Sequence, residues 1–542
     1  MRKRWITWAA LVVALAVVAG SALGATGAIG HANRAQVYRE AIGAEPPSLD
    51  PGLATDTTSA SVLLAIMDPL IKLGKPPALR PIPSAASRWK ITNRGRTVTL
   101  YLRHNVRWTN GKKVTAADYV WSWLRTISPQ LGADYAYQFF GIKGAEAYNS
   151  CDPGKTNCNA LRSKVGIKAL GRWKLRIQLI APESFFIQQL SHTSFLPANK
   201  GAVTKFGNKW TEAKNIVTDG AFKLQSWRHD ASLTLVKNKK WRGARHVKLN
   251  KITLTIITDG TTALNAFRAH NVDVSTVGLS PSDIKSQRSK PYFHIFKALG
   301  TYYYGINVKK ITNVNQRRAM AYGINRTQIV KYVAQLGQQP ARGFTPAGIA
   351  GAPTILAKSV FPATAQIKKA KSFLRKVAHP KRDIHLYFNN SPGHAQIATA
   401  VQAQWKELGL NVSLHVMEWK QYLQFLGPPP NSDIDVYRLG WIYDYPDAQN
   451  GLVLFTCGSG NNSTNWCNHK FDRLVAKGTR TQNAAARYKI YQQAEALISG
   501  AKGDVPLIPI YWYVNSALVR GYVHGFFINP LYQIDYTKVS MK

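Results

Sequence analysis

DVYRLGWIYDYPD, residues Asp435–Asp447, is the stretch on which the reading of this chain turns. Asp435–Leu439 has the branched and aromatic content of a buried strand. The following residues crowd Trp441, Tyr443 and Tyr445 around Asp444 and end on Pro446-Asp447, a turn signal. Upstream lie a second strand, Asn411–Val416, and two amphipathic helices, Ala365–Val377 and His394–Leu408. Downstream come a helix, Ala484–Ile498, and an apolar strand, Val505–Val514. Helix-period and strand-period segments mixed in this way predict an α/β architecture.

The N-terminal half has the same texture. Gln36–Ala41, Thr97–Arg103, Leu233–Val236, Lys251–Ile257, Asp273–Ser275 and Tyr302–Asn307 read as strands. Ala60–Leu73, Thr261–His270 and Asn315–Val333 read as helices. Thr115 opens another helix as a hydroxyl cap, with Asp118 in its first turn. Arg317 and Arg318 look like anion ligands, but charged helix faces are more often solvated or locally paired. At 542 residues the chain exceeds what one core supports, so two or three domains are expected. Hydrophobic residues at 45% and aromatics at 11% supply large cores and argue against disorder.

Arg2, Lys3 and Arg4 precede an apolar, small-residue run to about Ile29, the pattern of a signal peptide. Small residues at Ala22-Leu23-Gly24 and Gly30-His31-Ala32 offer cleavage sites; an uncleaved N-terminal anchor is the alternative. No Cys lies there to carry a lipid, and no later segment is apolar for long enough to span a bilayer. The chain is therefore expected outside the cytoplasm, in the periplasm or on the cell surface. In that oxidising setting Cys151/Cys158 and Cys457/Cys467 read as two short-loop disulfides. Zinc is the rival, with His469 beside the second pair, but neither pair has CxxC spacing.

Lys and Arg total 71 against 27 Asp and Glu, a formal charge of +44. That charge attracts polyanions. Yet the basic residues are spread along the chain, and no zinc-finger, RNP or basic-zipper pattern accompanies them, so nucleic acid is not the expected partner. A basic envelope-adhesion protein stays as a second reading. HExxH, GxSxG and the Walker loop are all missing, so the chain is not read as an enzyme. GATGAIG at Gly24–Gly30 fits a dinucleotide fingerprint formally but falls inside the leader.

An ordered series of phrases carries a resemblance. EPPSLDP (Glu45–Pro51) is followed by WTNGKKVTAAD (Trp108–Asp118), NIVTDGAFKL (Asn215–Leu224) and YYYGIN (Tyr302–Asn307). RRAMAYGINR (Arg317–Arg326), Glu418-Trp419, the opening stretch and VPLIPIYWYVNSALV (Val505–Val519) complete it. From about Gln36 to the C-terminus this resembles the extracytoplasmic solute-binding proteins of ABC transporters. The family is the peptide/nickel-binding one (family 5), and its oligopeptide-binding type is the best match. The resemblance implies a periplasmic-binding-protein-like class II clamshell: two lobes with an additional inserted domain, ligand enclosed by hinge closure. Residues 33–62, 172–298 and 510–542 would form lobe I, 63–171 the insert and 299–509 lobe II, after a leader at 1–32. It also implies a monomer that takes a peptide, delivers it to membrane permease subunits, and needs no cofactor or metal.

Residue by residue, Asp444 matches the position that pairs with a peptide α-ammonium; the alternative is a turn-forming Asp beside Pro446. Gly440 and Trp441, with Thr55, Asp56 and Thr57 on the opposite lobe, match backbone that pairs with ligand main chain like an added strand. Trp419 and Tyr135 match cleft walls, with core packing as the alternative for each. Arg438 and His394 match positions that meet the peptide carboxylate, although His394 also suits a surface. Phe425–Pro430 departs from the family pattern: no Arg stands in that loop, which leaves preferred peptide length open. A dipeptide, a nickel chelate or another solute is the alternative ligand within the family, and the Asp444/Arg438 pair favours a zwitterion.

Overall fold

The structure is a computed structural model that describes residues 35–542 except 359, 428 and 429. The expected leader lies outside the described residues. Among those described, no helix is long and apolar enough to cross a membrane.

One large sheet organises the molecule. In spatial order it runs Asn411–Met417, Asp383–Asn389, Val436–Ile442, Phe293–Ile306, Leu507–Val519, Val274–Ser275, Val37–Ile42, Lys251–Ile256, Ser232–Lys237 and Phe222–Arg228. Phe293–Ile306 and Leu507–Val519 are its two long members, at 14 and 13 residues, and they pair antiparallel. They belong to both lobes. Phe293–Lys297 pairs with Val514–Leu518 in one lobe, and Thr301–Gly305 pairs with Leu507–Trp512 in the other. Between these runs Ala298, Leu299 and Gly300 stand opposite the single residue Tyr513. A bulge of this kind bends the strand and raises its twist, which is how one pair of strands serves two lobes.

Each lobe has its own core. Tyr38, Leu63, Leu254 and Val519 pack in the first; Ile306, Ile384, Trp405 and Ile510 pack in the second. A third core belongs to a separate four-stranded sheet, Ala86–Thr92, Thr97–Leu102, Lys174–Gln178 and Ile167–Ala169, packed over Trp108, Trp123 and Phe139. Lys174–Gln178 pairs along its whole length with Thr97–Tyr101, and Phe186 and Phe195 complete the same core. The expected domain limit at 171 therefore cuts through a sheet; burial of Leu175 and Ile177 ties that strand to the insert.

Local signals explain other departures. The helix expected over Ala60–Leu73 is Thr57–Ile66, begun by the Asp56 cap, and Ile71–Leu73 is a strand after Pro69. The helix expected over Asn315–Val333 stops at Tyr322, since Gly323 leads into a fresh cap at Asn325. Tyr302–Asn307 proves to be the end of a longer strand because the aromatic run continues a pairing begun at Phe293. Both disulfides join the expected partners, with Cα–Cα separations of 5.7 Å for Cys151–Cys158 and 4.6 Å for Cys457–Cys467.

The arginines of the RRAMAYGINR phrase serve the fold. Arg317 donates to the carbonyls of Asp504 (2.8 Å), Ile311 (2.8 Å) and Thr312 (2.7 Å), and Arg318 to those of Gly503 and Lys502 (both 3.0 Å). Arg326 is fully buried and donates to the carbonyls of Pro509 (2.7 Å), Ala321 and Pro362 (both 3.1 Å). Burial without an acidic partner pulls its pKa down to about 9. It pins the second crossing strand to a helix end and a loop of its lobe. Arg326→Leu strands those carbonyls, so denaturant unfolding should show a loss of roughly 2–4 kcal/mol.

Candidate functional site

The strand Val436–Ile442 runs beside the first crossing strand, with Gly440 opposite Tyr302 and Arg438 opposite Tyr304. On its other side, pairing with Asp383–Asn389 covers only Val436 and Tyr437. From Arg438 onward that second edge is open. Alternate residues direct their backbone groups to opposite edges. The Arg438 carbonyl is taken by the Tyr422 hydroxyl at 2.6 Å, so Gly440, two residues on, faces the same side. Gly is required there: a Cβ at Gly440 would lie 2.1 Å from the Tyr513 hydroxyl.

Just past this strand Asp444 is held by Asn450. The Asn450 Oδ1 accepts from the Asp444 backbone N–H and from Trp441 Nε1, both at 2.9 Å, and its Nδ2 donates to Asp444 Oδ2 at 2.9 Å. The insert supplies the rest of the cluster. Gln138 Nε2 donates to Asp444 Oδ2 at 2.8 Å, the Tyr135 hydroxyl lies 3.4 Å from Oδ1, and His192 Nε2 lies 3.1 Å from Oδ1. Asp444 is 8% exposed and has no Lys or Arg partner among the described residues. A turn-forming role alone does not account for four side chains converging on one carboxylate.

Arg438 forms the second cluster. Its Nη1 donates to Asn389 Oδ1 at 3.0 Å and its Nη2 to the Tyr513 hydroxyl at 2.5 Å, while its guanidinium sits 4.4 Å from the Tyr302 ring centre. Its Nε is buried with no partner. Burial works against its charge, but Tyr513, Tyr302, Tyr511 and Tyr422 outweigh it and hold the guanidinium above its usual range. His394 lies half-buried in the first turn of the helix Pro392–Lys406, 5.6 Å from the Tyr302 ring. Burial, with Arg438 adding to it, pushes the imidazole well below its usual value, so it is neutral at pH 7.

Thr55, Asp56 and Thr57 stand on the opposite lobe, all half-buried. Asp56 has extended backbone and caps the helix Thr57–Ile66 through Oδ1, which accepts from Thr58 N (2.9 Å) and Ser59 N (3.0 Å). Its Oδ2 is buried without a partner. Burial pushes this carboxyl up, with Ser59, Thr58 and the approach of Trp419 pulling the other way. Trp419 thus comes from the second lobe to face Asp56, and Tyr135 lies 6.0 Å from the Trp441 ring. Of the site residues read from sequence, Tyr135 and Trp441 gather around Asp444 and His394 beside Arg438, while Thr55, Asp56 and Thr57 stand apart on the other lobe, where Asp56 faces Trp419. Gln138, His192, Asn450, Asn389 and the tyrosines at 302, 511 and 513 are additions, most of them brought in by contacts distant in sequence. The cysteines beside His469 are both used in a disulfide, with His469 Nδ1 3.8 Å from Cys457 Sγ.

Residues 80–463 match the model of the bacterial extracellular solute-binding proteins, family 5. The chain belongs to this family. It is 30% identical over 537 residues to the oligopeptide-binding protein OppA of Bacillus subtilis, covering 95% of each chain. It superposes with a TM-score of 0.86 on Haemophilus influenzae OppA in complex with RPPGFSPFR, at 26% identity over 94% of this chain and 99% of that one. Against the unliganded open form of the murein tripeptide-binding protein MppA the TM-score is 0.63, at 26% identity over 94% and 98%. The two lobes and insert are those of this family's clamshell, in an arrangement nearer the peptide-bound relative than the open one.

A seam of contacts joins the insert to the second lobe. Phe185 stacks on Tyr445 (5.0 Å, 10°), Asn461 Nδ2 donates to the Tyr137 hydroxyl (3.4 Å), and Gln482 donates to the Pro182 carbonyl (2.8 Å). Two acids lie in it. Burial pushes the Asp134 carboxyl up to about 6, and burial pushes Glu183 up to about 7 against the pull of Arg480. Glu183 faces the Gly141 backbone from the insert, and Arg480 and Tyr491 from the second lobe. A carboxyl with a raised folded-state pKa stabilises the fold below its unfolded value and progressively costs stability as pH rises through its folded value. Glu183→Gln removes that cost. Its thermal midpoint should match the parent's near pH 4 and exceed it near pH 8, by a stability of up to roughly 2–3 kcal/mol.

Proposed function

We propose that the chain is the extracytoplasmic binding component of an ABC importer, enclosing an oligopeptide between its lobes and delivering it to membrane permease subunits. The observation that carries this reading is an open strand edge with opposite charge at its two ends: the Arg438 guanidinium at one and the Asp444 carboxylate at the other. An extended zwitterionic chain is complementary to all three features. The Gly440–Trp441 backbone pairs with ligand main chain, which selects for a peptide without reading its side chains. Asp444 accepts the α-ammonium, displacing the donors that now surround it. Arg438 offers its unpartnered Nε to the terminal carboxylate. His394, being neutral, contributes one N–H beside it. Thr55, Asp56 and Thr57 close over the ligand from the first lobe, and Trp419 and Tyr135 wall its side chains.

The family relatives include OppA of Bacillus subtilis and the peptide-bound Haemophilus influenzae protein, which supports a peptide over other solutes. A sugar has no use for paired terminal charges, and a nickel chelate has none for a strand edge. Binding of mixed short peptides, followed by calorimetry, should be saturable. Asp444→Asn should weaken binding of a free peptide by roughly ten- to a hundredfold, the value of a charge-assisted hydrogen bond, and leave an N-acetylated peptide nearly unaffected. Equal losses for both peptides would remove Asp444 from the ammonium role.

A further inference from the structure

The insert turns one face of its four-stranded sheet to solvent, and that face has an unusual composition. Strand register places Arg88, Tyr101 and Lys174 in one row across three strands, and Lys90, Thr99, Arg176 and Lys168 in the next across four. Thr92, Thr97 and Gln178 make the third row. Half of these ten positions are Lys or Arg, against 71 of 542 residues in the whole chain. Residues 86–104 and 166–180, which build the sheet, contain no Asp or Glu, and Arg94, Arg96 and Arg172 add exposed charge at its turns.

The charges are not neutralised within the chain. Among the described residues none of the five cations on the face has an ion pair, and the Arg176 Nε is buried with no hydrogen-bond partner. Lys168 stands directly opposite Arg176, an arrangement that destabilises a sheet when left alone. In the neighbouring row Tyr101 separates the two cations, with Arg88 3.6 Å and Lys174 5.8 Å from its ring centre. A face that concentrates like charge at a cost in stability is complementary to an extended array of anions. Its cations spread over three of the four strands and are not threaded along a groove, so they match a surface better than a linear polymer. Leu170 and Ile180, exposed by 40% and 46%, border the sheet. Apolar side chains around a basic face gain at the boundary of lipid headgroups and acyl chains, and gain nothing on a hydrated polysaccharide.

We propose that this outward face of the insert's sheet docks the protein on an anionic phospholipid surface. Docking there uses the face of the sheet opposite the insert's core, and it is independent of what the cleft binds.

The test uses residues 33–542, so that the N-terminal apolar run takes no part, and vesicles of phosphatidylglycerol with phosphatidylcholine or of phosphatidylcholine alone. The protein should sediment with the anionic vesicles only. Lys90→Gln/Lys168→Gln/Lys174→Gln, all exposed side chains, should bind them roughly ten- to a hundredfold more weakly, from about 1 kcal/mol for each basic residue near the surface. Lys368→Gln/Lys371→Gln/Lys376→Gln removes the same charge from exposed positions of the second lobe and should bind within about twofold of the parent. An unchanged thermal midpoint in both triple variants secures the comparison; Lys90→Gln/Lys174→Gln, with a smaller loss in the same direction, replaces a variant that misfolds. Equal losses from both surfaces would reduce the effect to net charge and overturn the proposal. So would absence of vesicle binding, or a preference for a soluble anionic wall polymer in competition.

Discussion

Two strands pass between the lobes as one antiparallel pair, and the arrangement of everything else follows from keeping that pair hydrogen-bonded on both sides of a bulge. Phe293–Lys297 and Thr301–Gly305 are in register with different halves of Leu507–Val519, and three residues are accommodated against Tyr513 between them. The sheet is therefore continuous through both lobes. The lobes can twist about this ribbon at the bulge, but sliding past one another would break its ladder. The strand Val436–Ile442 lies directly against the ribbon, which fixes the height of the open edge relative to the bend.

The chain is short of acid, with 27 Asp and Glu, and ten of them are buried. Asp50 receives both Arg125 and the Trp210 indole, Asp68 receives Arg242, Asp273 receives Arg39, and Asp435 receives Lys381. Glu40 is buried among the hydroxyls of Tyr38, Thr276 and Tyr536, and Glu495 among Phe344 N, Thr345 and Ser499. These are pairings in which a missing partner would leave a buried group unsatisfied. The positive surplus is what remains on the outside once they are assigned.

How much of this was legible beforehand depended on the range of the interaction concerned. The α/β texture and the Thr115 cap with its Asp118 partner rest on contacts a few residues apart, and both could be read from periodicity and residue type. The two disulfides close loops of separation 7 and 10 and were equally legible. The limit of the insert was not, because Lys174–Gln178 looks like any half-buried strand and only its pairing with Thr97–Tyr101 assigns it. At the site, Asp444 and Arg438 stood in a recognisable phrase, whereas Gln138 and His192 reach Asp444 across about three hundred and two hundred and fifty residues respectively. Asn450 was nearer to hand: an Asn six residues after a turn Asp is a local hydrogen-bonding signal. The basic sheet face was hidden for a different reason. Its cations fall in two stretches, at 88–90 and 168–176, and become neighbours only when those strands are laid side by side.

Tyr513 occupies two places at once. It is the lone residue facing the bulge, and its hydroxyl both holds the Arg438 guanidinium and covers Gly440. Rotation of one lobe about the ribbon therefore moves the very oxygen that positions this cation. On the proposed reading the fulcrum is wired to the seat: a ligand group that settles on Arg438 would push against the pivot, and a change in the angle of the pivot would loosen the grip. Capture and release would then be opposite strokes of a single lever whose short arm is one phenol.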